Sequence, residues 1–377
     1  MEDYIKEKFN RCSGLMEAED YAGAETVIKE ALDYARRENE LSLQADAYYK
    51  LAQVYLGWGK EHEAVKNWEK ALDIYKKLDN EEDRIADVCY NLGKVFLEID
   101  EYPRALEYFE SAVSIYDVLE ENKNLADAAF HLGLTALKLN NFEVANSSFF
   151  TALDHYEELE DTEAVADVHY QIGKMYYNNL EFGLALNNLK ESLEIYRKLG
   201  IETRVADCKY KLGNTYLDLE DPGKAYEMLD EAITLYRKLD EKKYLADSLL
   251  NMGSVYEELE KTAEANNCYI QAYAIYEELE DNAGQGDALY NIASTEQDNG
   301  NWKEALKQYT KSLNQYHRTG NLLSQGDVYI RMGKVYEEMD DRDNAQHFYK
   351  QALVAYEKAH YNQGALECRQ KLKEILV

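Results

Sequence analysis

The stretch Val205–Asp240 reads VADCKYKLGNTYLDLEDPGKAYEMLDEAITLYRKLD, and it decides the fold of the chain. Moved forward by 40 residues, it aligns with LADSLLNMGSVYEELEKTAEANNCYIQAYAIYEELE at 245–280. Moved back by 40 residues, it aligns with VADVHYQIGKMYYNNLEFGLALNNLKESLEIYRKLG at 165–200. Self-similarity at a fixed period indicates an array of structural repeats.

Each repeat contains two apolar patterns of helical period. Spacings of three, four and seven residues, which place side chains on one face of a helix, occur at Val205, Leu212, Tyr216 and Leu219, and again at Ala225, Leu229, Ala232, Ile233 and Tyr236. Between the two patterns, Asp221 can cap a helix and Pro222 is tolerated at a first helical position. Each repeat is therefore predicted to be a helical hairpin.

Small residues mark the repeats along the whole chain. In the first helix they are Cys12, Ala52, Gly93, Gly133, Gly173, Gly213, Gly253, Ala293 and Gly333. In the second helix they are Ala24, Ala64, Ala105, Ala145, Ala185, Ala225, Ala265, Ala305 and Ala345. Such residues allow two helices to approach closely. We expect one continuous domain over 1–377, with hairpins starting near residues 3, 43, 83, 123, 163, 203, 243, 283 and 323 and a capping helix at 361–377.

The repeat at 205–240 follows the pattern L-G-x2-Y … A-x3-F-x2-A, here at Leu212-Gly213, Tyr216, Ala225, Leu229 and Ala232. The chain thereby resembles the tetratricopeptide repeat superfamily. Lys209 stands where that pattern has Trp. The 40-residue spacing is similar to that of Pins/LGN-type scaffolds, kinesin light chain and the Rap-type peptide receptors. The resemblance implies an all-α solenoid, a right-handed superhelix of nine helical hairpins plus a C-terminal capping helix, whose first helices line a concave face.

Composition narrows the class of protein. The net charge of −31 argues against nucleic acid or an anionic membrane surface as the main partner, because phosphate attracts Lys and Arg. Five widely spaced cysteines without a C-x-x-C pair indicate reduced thiols. The chain starts without the basic and apolar segments of a signal peptide, and it has no apolar run of membrane-spanning length. These features predict a cytoplasmic protein without membrane insertion.

No arrangement of residues points to an enzyme. The chain has no G-x-x-x-x-G-K-[ST], G-x-S-x-G or H-E-x-x-H motif. His131 and His169 occupy adjacent repeats, but neither has a second ligand at metal-binding spacing. With 73 Asp and Glu residues, pairs of carboxylates arise by chance. We expect no catalytic residues, no metal and no cofactor.

Two units depart from the repeat near the end of their first helix. Ala136 in the fourth unit and Glu296 in the eighth stand where Tyr or Phe is usual. These departures are consistent with drift, a hinge or a pocket.

Two polar rows recur once in each repeat. The tyrosine row lies near the end of the second helices and comprises Tyr75, Tyr116, Tyr156, Tyr196, Tyr236, Tyr276, Tyr316 and Tyr356. The aspartate row lies in the first helices and comprises Asp46, Asp87, Asp127, Asp167, Asp207, Asp247, Asp287 and Asp327. The tyrosines are predicted to pack between hairpins while each hydroxyl finds a polar partner. The aspartates either accept from Tyr, or pair with a residue four positions on as in Asp207–Lys211 and Asp327–Arg331, or bind a ligand.

Residues at steps of three and four from each aspartate form the candidate peptide-binding surface. They are Asp87, Tyr90, Asn91, Lys94, Asp127, Phe130, His131, Asp167, Tyr170, Gln171, Lys174, Asp207, Tyr210, Lys211, Asn214, Asp247, Asn251, Asp287, Tyr290, Asn291, Asp327, Arg331 and Lys334. The amides resemble the asparagines with which Pins/LGN-type and Rap-type arrays hold a peptide main chain. Members of the superfamily that bind acidic tails use basic groove residues, whereas this chain has Asp there.

These patterns predict a non-enzymatic scaffold that binds an extended, partly basic segment of a protein partner in its concave groove, and no nucleic acid. Two alternatives remain open: a peptide-signal receptor of the Rap type, or a structural subunit of a large ciliary or cytoskeletal assembly. Rap-type receptors carry a further N-terminal module, whereas repeats here start close to Met1. The scaffold is therefore preferred.

Overall fold

The computed structural model describes residues 2–375, which form nineteen α-helices and no β-strand within that range. The described residues divide into two compact units, one ending at Ile195 and the other beginning at Tyr196. In both units, a first helix and a second helix alternate along the chain, so that each pair forms a hairpin.

The first unit contains five first helices. They are α1 (Glu2–Glu17), α3 (Leu41–Gly57), α5 (Glu82–Glu98), α7 (Asn122–Lys138) and α9 (Thr162–Asn178). The second helices paired with them are α2 (Tyr21–Arg37), α4 (Glu61–Tyr75), α6 (Tyr102–Val118), α8 (Phe142–Glu158) and α10 (Phe182–Leu199). The boundary between the units falls within α10.

The second unit contains the remaining helices. Its first helices are α11 (Glu202–Asp218), α13 (Lys242–Glu258), α15 (Asn282–Asp298) and α17 (Leu322–Glu338). Its second helices are α12 (Pro222–Lys238), α14 (Thr262–Glu278), α16 (Trp302–Thr319) and α18 (Arg342–Lys358), and α19 (Asn362–Ile375) follows them. Each first helix starts one or two residues before the position predicted from the repeat.

Close packing within each hairpin depends on the small residue of the first helix. A Cβ atom placed on Gly213 would lie 2.6 Å from Cγ of Leu229, and one placed on Gly93 would lie 2.8 Å from the ring of Phe109. Both distances are shorter than a carbon–carbon contact. In these two hairpins the glycine therefore allows the two helices to meet at a separation that a side chain at the same position would prevent.

The last helix covers the apolar end of the ninth hairpin. Ala365 and Cys368 of α19 are buried and form one cluster with Ile330, Ala352 and Tyr356. This placement agrees with the capping helix predicted at 361–377. Leu376 and Val377, which belong to that prediction, lie outside the described residues. No helix in the described range is long and apolar enough to cross a membrane.

Candidate functional site

The tyrosine row and the aspartate row are joined by hydrogen bonds inside the hairpins. Each of seven tyrosine hydroxyls donates to Oδ1 of the aspartate 29 residues earlier: Tyr75 to Asp46, Tyr156 to Asp127, Tyr276 to Asp247, Tyr316 to Asp287 and Tyr356 to Asp327 at 2.6 Å, Tyr116 to Asp87 at 2.7 Å and Tyr236 to Asp207 at 2.8 Å. The rings are buried. Every such bond ties the second helix of a hairpin to its own first helix.

The tyrosine bond leaves part of each carboxylate available. The hydroxyl uses Oδ1 in every pair. Oδ2 of Asp87 and of Asp287 accepts no hydrogen bond and joins no ion pair within residues 2–375. Two other carboxylates of the row also form ion pairs at 3.7 Å, Oδ2 of Asp207 with Arg204 and Oδ1 of Asp247 with Lys243. Burial raises the pKa of Asp87, and the hydroxyl of Tyr116 partly offsets this effect. Because an ionised carboxylate can accept several hydrogen bonds, the aspartate row can serve the fold and still accept from a ligand.

In the first unit, the predicted residues of α5 share one half-buried helix face. Asn91 uses its side-chain Nδ2 to donate to the hydroxyl of Tyr49 in the preceding first helix, at 3.1 Å, and to the carbonyl of Asp87, at 2.7 Å. The ammonium group of Lys94 lies over the ring of Tyr90, 5.7 Å from its centroid. The NH2 group of this amide is thus used by bonds within the chain, whereas its Oδ1 accepts no hydrogen bond within residues 2–375 and can accept from a ligand N–H.

His131 of α7 contacts aromatic residues of both α5 and α6. Its ring meets Tyr90 edge-on with centroids 5.5 Å apart, and it stacks on Phe109 at 5.6 Å. Nδ1 donates to the carbonyl of Asp127 at 2.8 Å, which leaves Nε2 as the acceptor of the neutral ring. Burial lowers the pKa of His131, and the charge of Lys94 acts in the same direction.

This lowered pKa predicts a stability that falls in acid. The unfolded chain binds the His131 proton more tightly than the folded chain, so stability is fully present above the unfolded pKa of about 6.5 and is lost as pH falls through the folded pKa. We expect urea denaturation at pH 7.5 and pH 5.5 to show a larger loss for the wild type than for His131→Gln. An equal loss in both proteins would contradict this role for His131.

The C-terminal halves of α5, α7 and α9 enclose a cleft of about 410 Å³. Gln171 and Lys174, two of the predicted binding residues, line it, and the ammonium group of Lys174 lies over the ring of Tyr170, 5.4 Å from its centroid. The sequence analysis missed the apolar wall of the cleft, which is formed by Leu97, Leu134 and Leu137. These leucines lie seven or ten residues after an aspartate of the row, so extending the steps of three and four would have found them.

In the second unit, the predicted residues also contact one another across first helices. Asn251 donates to the hydroxyl of Tyr210 at 3.2 Å and to Oδ1 of Asn214 at 2.8 Å. Lys211 lies over the Tyr210 ring, 5.6 Å from its centroid, and burial lowers the pKa of Lys211. The side chain of Asn291 makes no hydrogen bond within the described range, so both its donor and its acceptor are available.

Helix α17 does not show the local pairing that the sequence offered as one alternative for the aspartate row. The local pair Asp327–Arg331 does not form; Nε of Arg331 instead donates to the hydroxyl of Tyr290 in the preceding first helix, at 2.9 Å. Asp327 accepts from Tyr356. Lys334 lies 3.6 Å from Glu367 of α19. Contacts between neighbouring first helices therefore take precedence over pairs along one helix here.

Family comparisons cover more than half of the chain. Two models, both described as tetratricopeptide repeat, match residues 204–278 and 285–358 and residues 45–78 and 86–117. Together these ranges contain 215 of the 377 residues. A search of curated proteins finds no match.

Several solved structures share the fold at low sequence identity. The apo form of the quorum sensor NprR from B. thuringiensis aligns with 94% of this chain and 99% of its own at 14% identity, with a TM-score of 0.63. A Signal Transduction ATPase with Numerous Domains with a tetratricopeptide repeat sensor, from Pyrococcus horikoshii, aligns with 91% of this chain and 55% of its own at 16% identity, with a TM-score of 0.63. A Rap protein complexed with competence and sporulation factor aligns with 100% of this chain and 98% of its own at 15% identity, with a TM-score of 0.50.

The fixed 40-residue period, the helical hairpins packed on small residues and the matches to the repeat models agree with one another. This chain belongs to the tetratricopeptide repeat superfamily and has its all-α solenoid fold.

Proposed function

We propose that this chain is a non-enzymatic scaffold that binds an extended protein segment on the faces of its first helices. The observation that carries the proposal is the row of half-buried or exposed aspartate, aromatic and amide side chains that recurs on successive first helices. A solved array of the same fold was crystallised with a bound factor, competence and sporulation factor, which is consistent with ligand binding by this fold.

The chemistry of the row favours a ligand with regularly spaced Lys or Arg. Packed helices lie roughly 8–10 Å apart, and an extended chain advances about 3.3 Å per residue, so successive aspartates fall opposite about every third ligand residue. An amide such as Asn291 can donate to a main-chain carbonyl and accept from an N–H, whatever the side chain. Lys94, Lys174 and Lys211 add positive charge to the same faces, and a ligand of mixed charge therefore fits better than a purely basic one.

A defined synthetic ligand tests this proposal. A fluorescent twelve-residue peptide with Lys at every third position, separated by Ser and Thr, is titrated with the full chain, and its anisotropy is followed. We expect binding that weakens between 20 mM and 200 mM salt, because charges on a half-exposed surface are screened. The same peptide with Glu in place of Lys is expected not to bind.

Two triple variants distinguish an effect of the aspartate row from an effect of net charge. The first triple variant replaces three aspartates of the row by asparagine: Asp207→Asn, Asp247→Asn and Asp287→Asn. It removes three charges, yet each amide oxygen can still accept from its tyrosine, so the fold is expected to persist. The second triple variant is the control and removes three charges from exposed positions of second helices: Asp230→Asn, Glu264→Gln and Asp343→Asn. We expect the first triple to weaken binding about tenfold or more if each lost pair contributes about 0.5 kcal/mol, and the second to have little effect. Equal affinities for both triples would overturn the proposal.

A further inference from the structure

The eighth hairpin carries an acidic residue near the C-terminal end of its first helix. Glu296 stands there, whereas the equivalent residues of four other hairpins are Tyr55, Phe96, Tyr216 and Tyr256. Glu296 lies nine residues after Asp287, which at 3.6 residues per turn is half a turn around α15. It therefore lies on the opposite side of the helix from the aspartate row and outside the proposed peptide surface.

A cleft of about 610 Å³ opens at this position. Its walls include Glu296, the first turn of α16 with Trp302 and Glu304, and Met339 at the end of α17. Trp302 is 37% exposed, so its ring is accessible to a ligand. The cleft is large enough for a side chain of a partner protein.

In four other hairpins, a cation of the chain itself lies over the aromatic ring at the equivalent place. The distances from the cation to the ring centroid are 5.9 Å for Lys60 over Tyr55, 3.8 Å for Arg104 over Phe96, 5.3 Å for Lys224 over Tyr216 and 5.8 Å for Lys261 over Tyr256. Arg104 also pairs with Glu69 at 3.0 Å. In each case the cation comes five or eight residues after the aromatic residue. This part of the hairpin is thus repeatedly built to hold a positive group against an aromatic face.

In the eighth hairpin, both positions that supply this cation have changed. The residue five positions after Glu296 is Asn301, and the residue eight positions after it is Glu304. Glu296 accepts a hydrogen bond from Asn301 at 2.7 Å and joins no ion pair within the described range. Oε1 of Glu304 lies 3.0 Å from Nζ of Lys307, so this carboxylate already has one cationic partner. The place that elsewhere holds a cation of the chain therefore presents carboxylates and an aromatic ring instead.

We propose that this cleft receives the guanidinium or ammonium group of an Arg or Lys side chain of a protein partner. The cation lies against the indole of Trp302, which within residues 2–375 has no Lys or Arg over it, and pairs with Glu296. Trp gives the strongest cation–π interaction of the aromatic side chains. Lys303 also lines the cleft, and its charge favours a ligand whose neighbouring residues are not basic.

Fluorine NMR of the full chain tests this inference. The chain contains three tryptophans, so labelling with 5-fluorotryptophan gives three signals, and Trp302→Phe identifies the one from Trp302. The probe is N-acetyl-arginine methylamide, and its matched control is the neutral citrulline analogue of nearly the same shape. We expect a saturable shift of the Trp302 signal with arginine and none with citrulline. The Trp58 signal is expected to stay unchanged, because Lys60 already lies 3.2 Å from the centroid of that ring.

Two variants make the test specific. Glu296→Gln should raise the dissociation constant about 2- to 5-fold, the effect of one exposed ion pair. Glu296→Tyr with Glu304→Lys restores the pair seen at Tyr216 and Lys224, and it should abolish the shift while the helical circular dichroism stays unchanged. An unmoved Trp302 signal, an equal response to citrulline or an unaffected Glu296→Gln variant would each overturn the inference. The triple Asp→Asn variant of the aspartate row leaves this cleft intact. The proposed peptide binding and the proposed cation site can therefore fail separately.

Discussion

Gly213→Leu is expected to lower the free energy of unfolding by about 1–3 kcal/mol, toward the upper end of that range. A Cβ atom on Gly213 would lie 2.6 Å from Cγ of Leu229 and 3.4 Å from its backbone nitrogen. The second distance is an ordinary contact, so the cost arises from the clash with the Leu229 side chain and from the further carbons of the new leucine, which must also fit between α11 and α12. Urea denaturation followed by circular dichroism measures the change.

Gly223→Leu provides the control in the same hairpin. A Cβ atom on Gly223 meets only Oδ1 of Asp221, at 3.7 Å, which is an ordinary contact. Leu has a higher helix propensity than Gly, so this variant is expected to be as stable as the wild type or more stable. Equal denaturation midpoints for Gly213→Leu and Gly223→Leu would contradict the close helix contact at Gly213.

Ending the chain at His360 is expected to lower the free energy of unfolding by about 1.5–3 kcal/mol and to cause aggregation. The truncation removes Ala365 and Cys368, which cover Ile330 and Tyr356. If each of these two large side chains loses about half of its burial, the sum of the lost transfer free energies is about 1.5–3 kcal/mol. The exposed apolar end would also be available for association between copies. Size-exclusion chromatography and urea denaturation measure the two effects.

Two point variants of α19 test the same contact without truncation. Cys368 is fully buried, so Cys368→Asp places an unpaired charge against the ninth hairpin and should destabilise the chain strongly. Leu366 is 64% exposed, so Leu366→Ser should change stability by less than about 0.5 kcal/mol. A truncated chain that stays monomeric and equally stable, together with a harmless Cys368→Asp, would show that α19 does not act as a cap.

The fold could be predicted from the sequence because the information it needs is local. The spacing of apolar residues defined each helix, and Asp221 caps α12 by accepting from the backbone of Lys224, as expected. The small residues that recur every 40 positions identified the helix–helix contacts. Even α19 could be predicted from the helical spacing of Ala365 and Leu372.

The candidate site could be predicted only in part, because its contacts join helices about 40 residues apart. The sequence offered three partners for the aspartate row and no means to choose among them. The structure places tyrosine hydroxyls beside it, as in Tyr276 and Asp247. The bond from Arg331 to Tyr290 depends on how neighbouring first helices are offset, and helical spacing does not contain that offset. Similarly, Glu296 was visible as a departure from the repeat, but its cleft depends on Met339 of the next hairpin. Whether the aspartate row binds a ligand stays a prediction.

The bonds between tyrosine and aspartate have a consequence for the time course of synthesis. Each tyrosine reaches an aspartate only 29 residues earlier in the chain. At a translation rate of about 5–20 residues per second, the two partners emerge about 1.5–6 s apart. Contacts of such short range also favour fast folding, since little loop entropy is lost when they close. Each hairpin can therefore fasten its own two helices while the next one is being made, and the nascent chain exposes only about one unfinished repeat at a time.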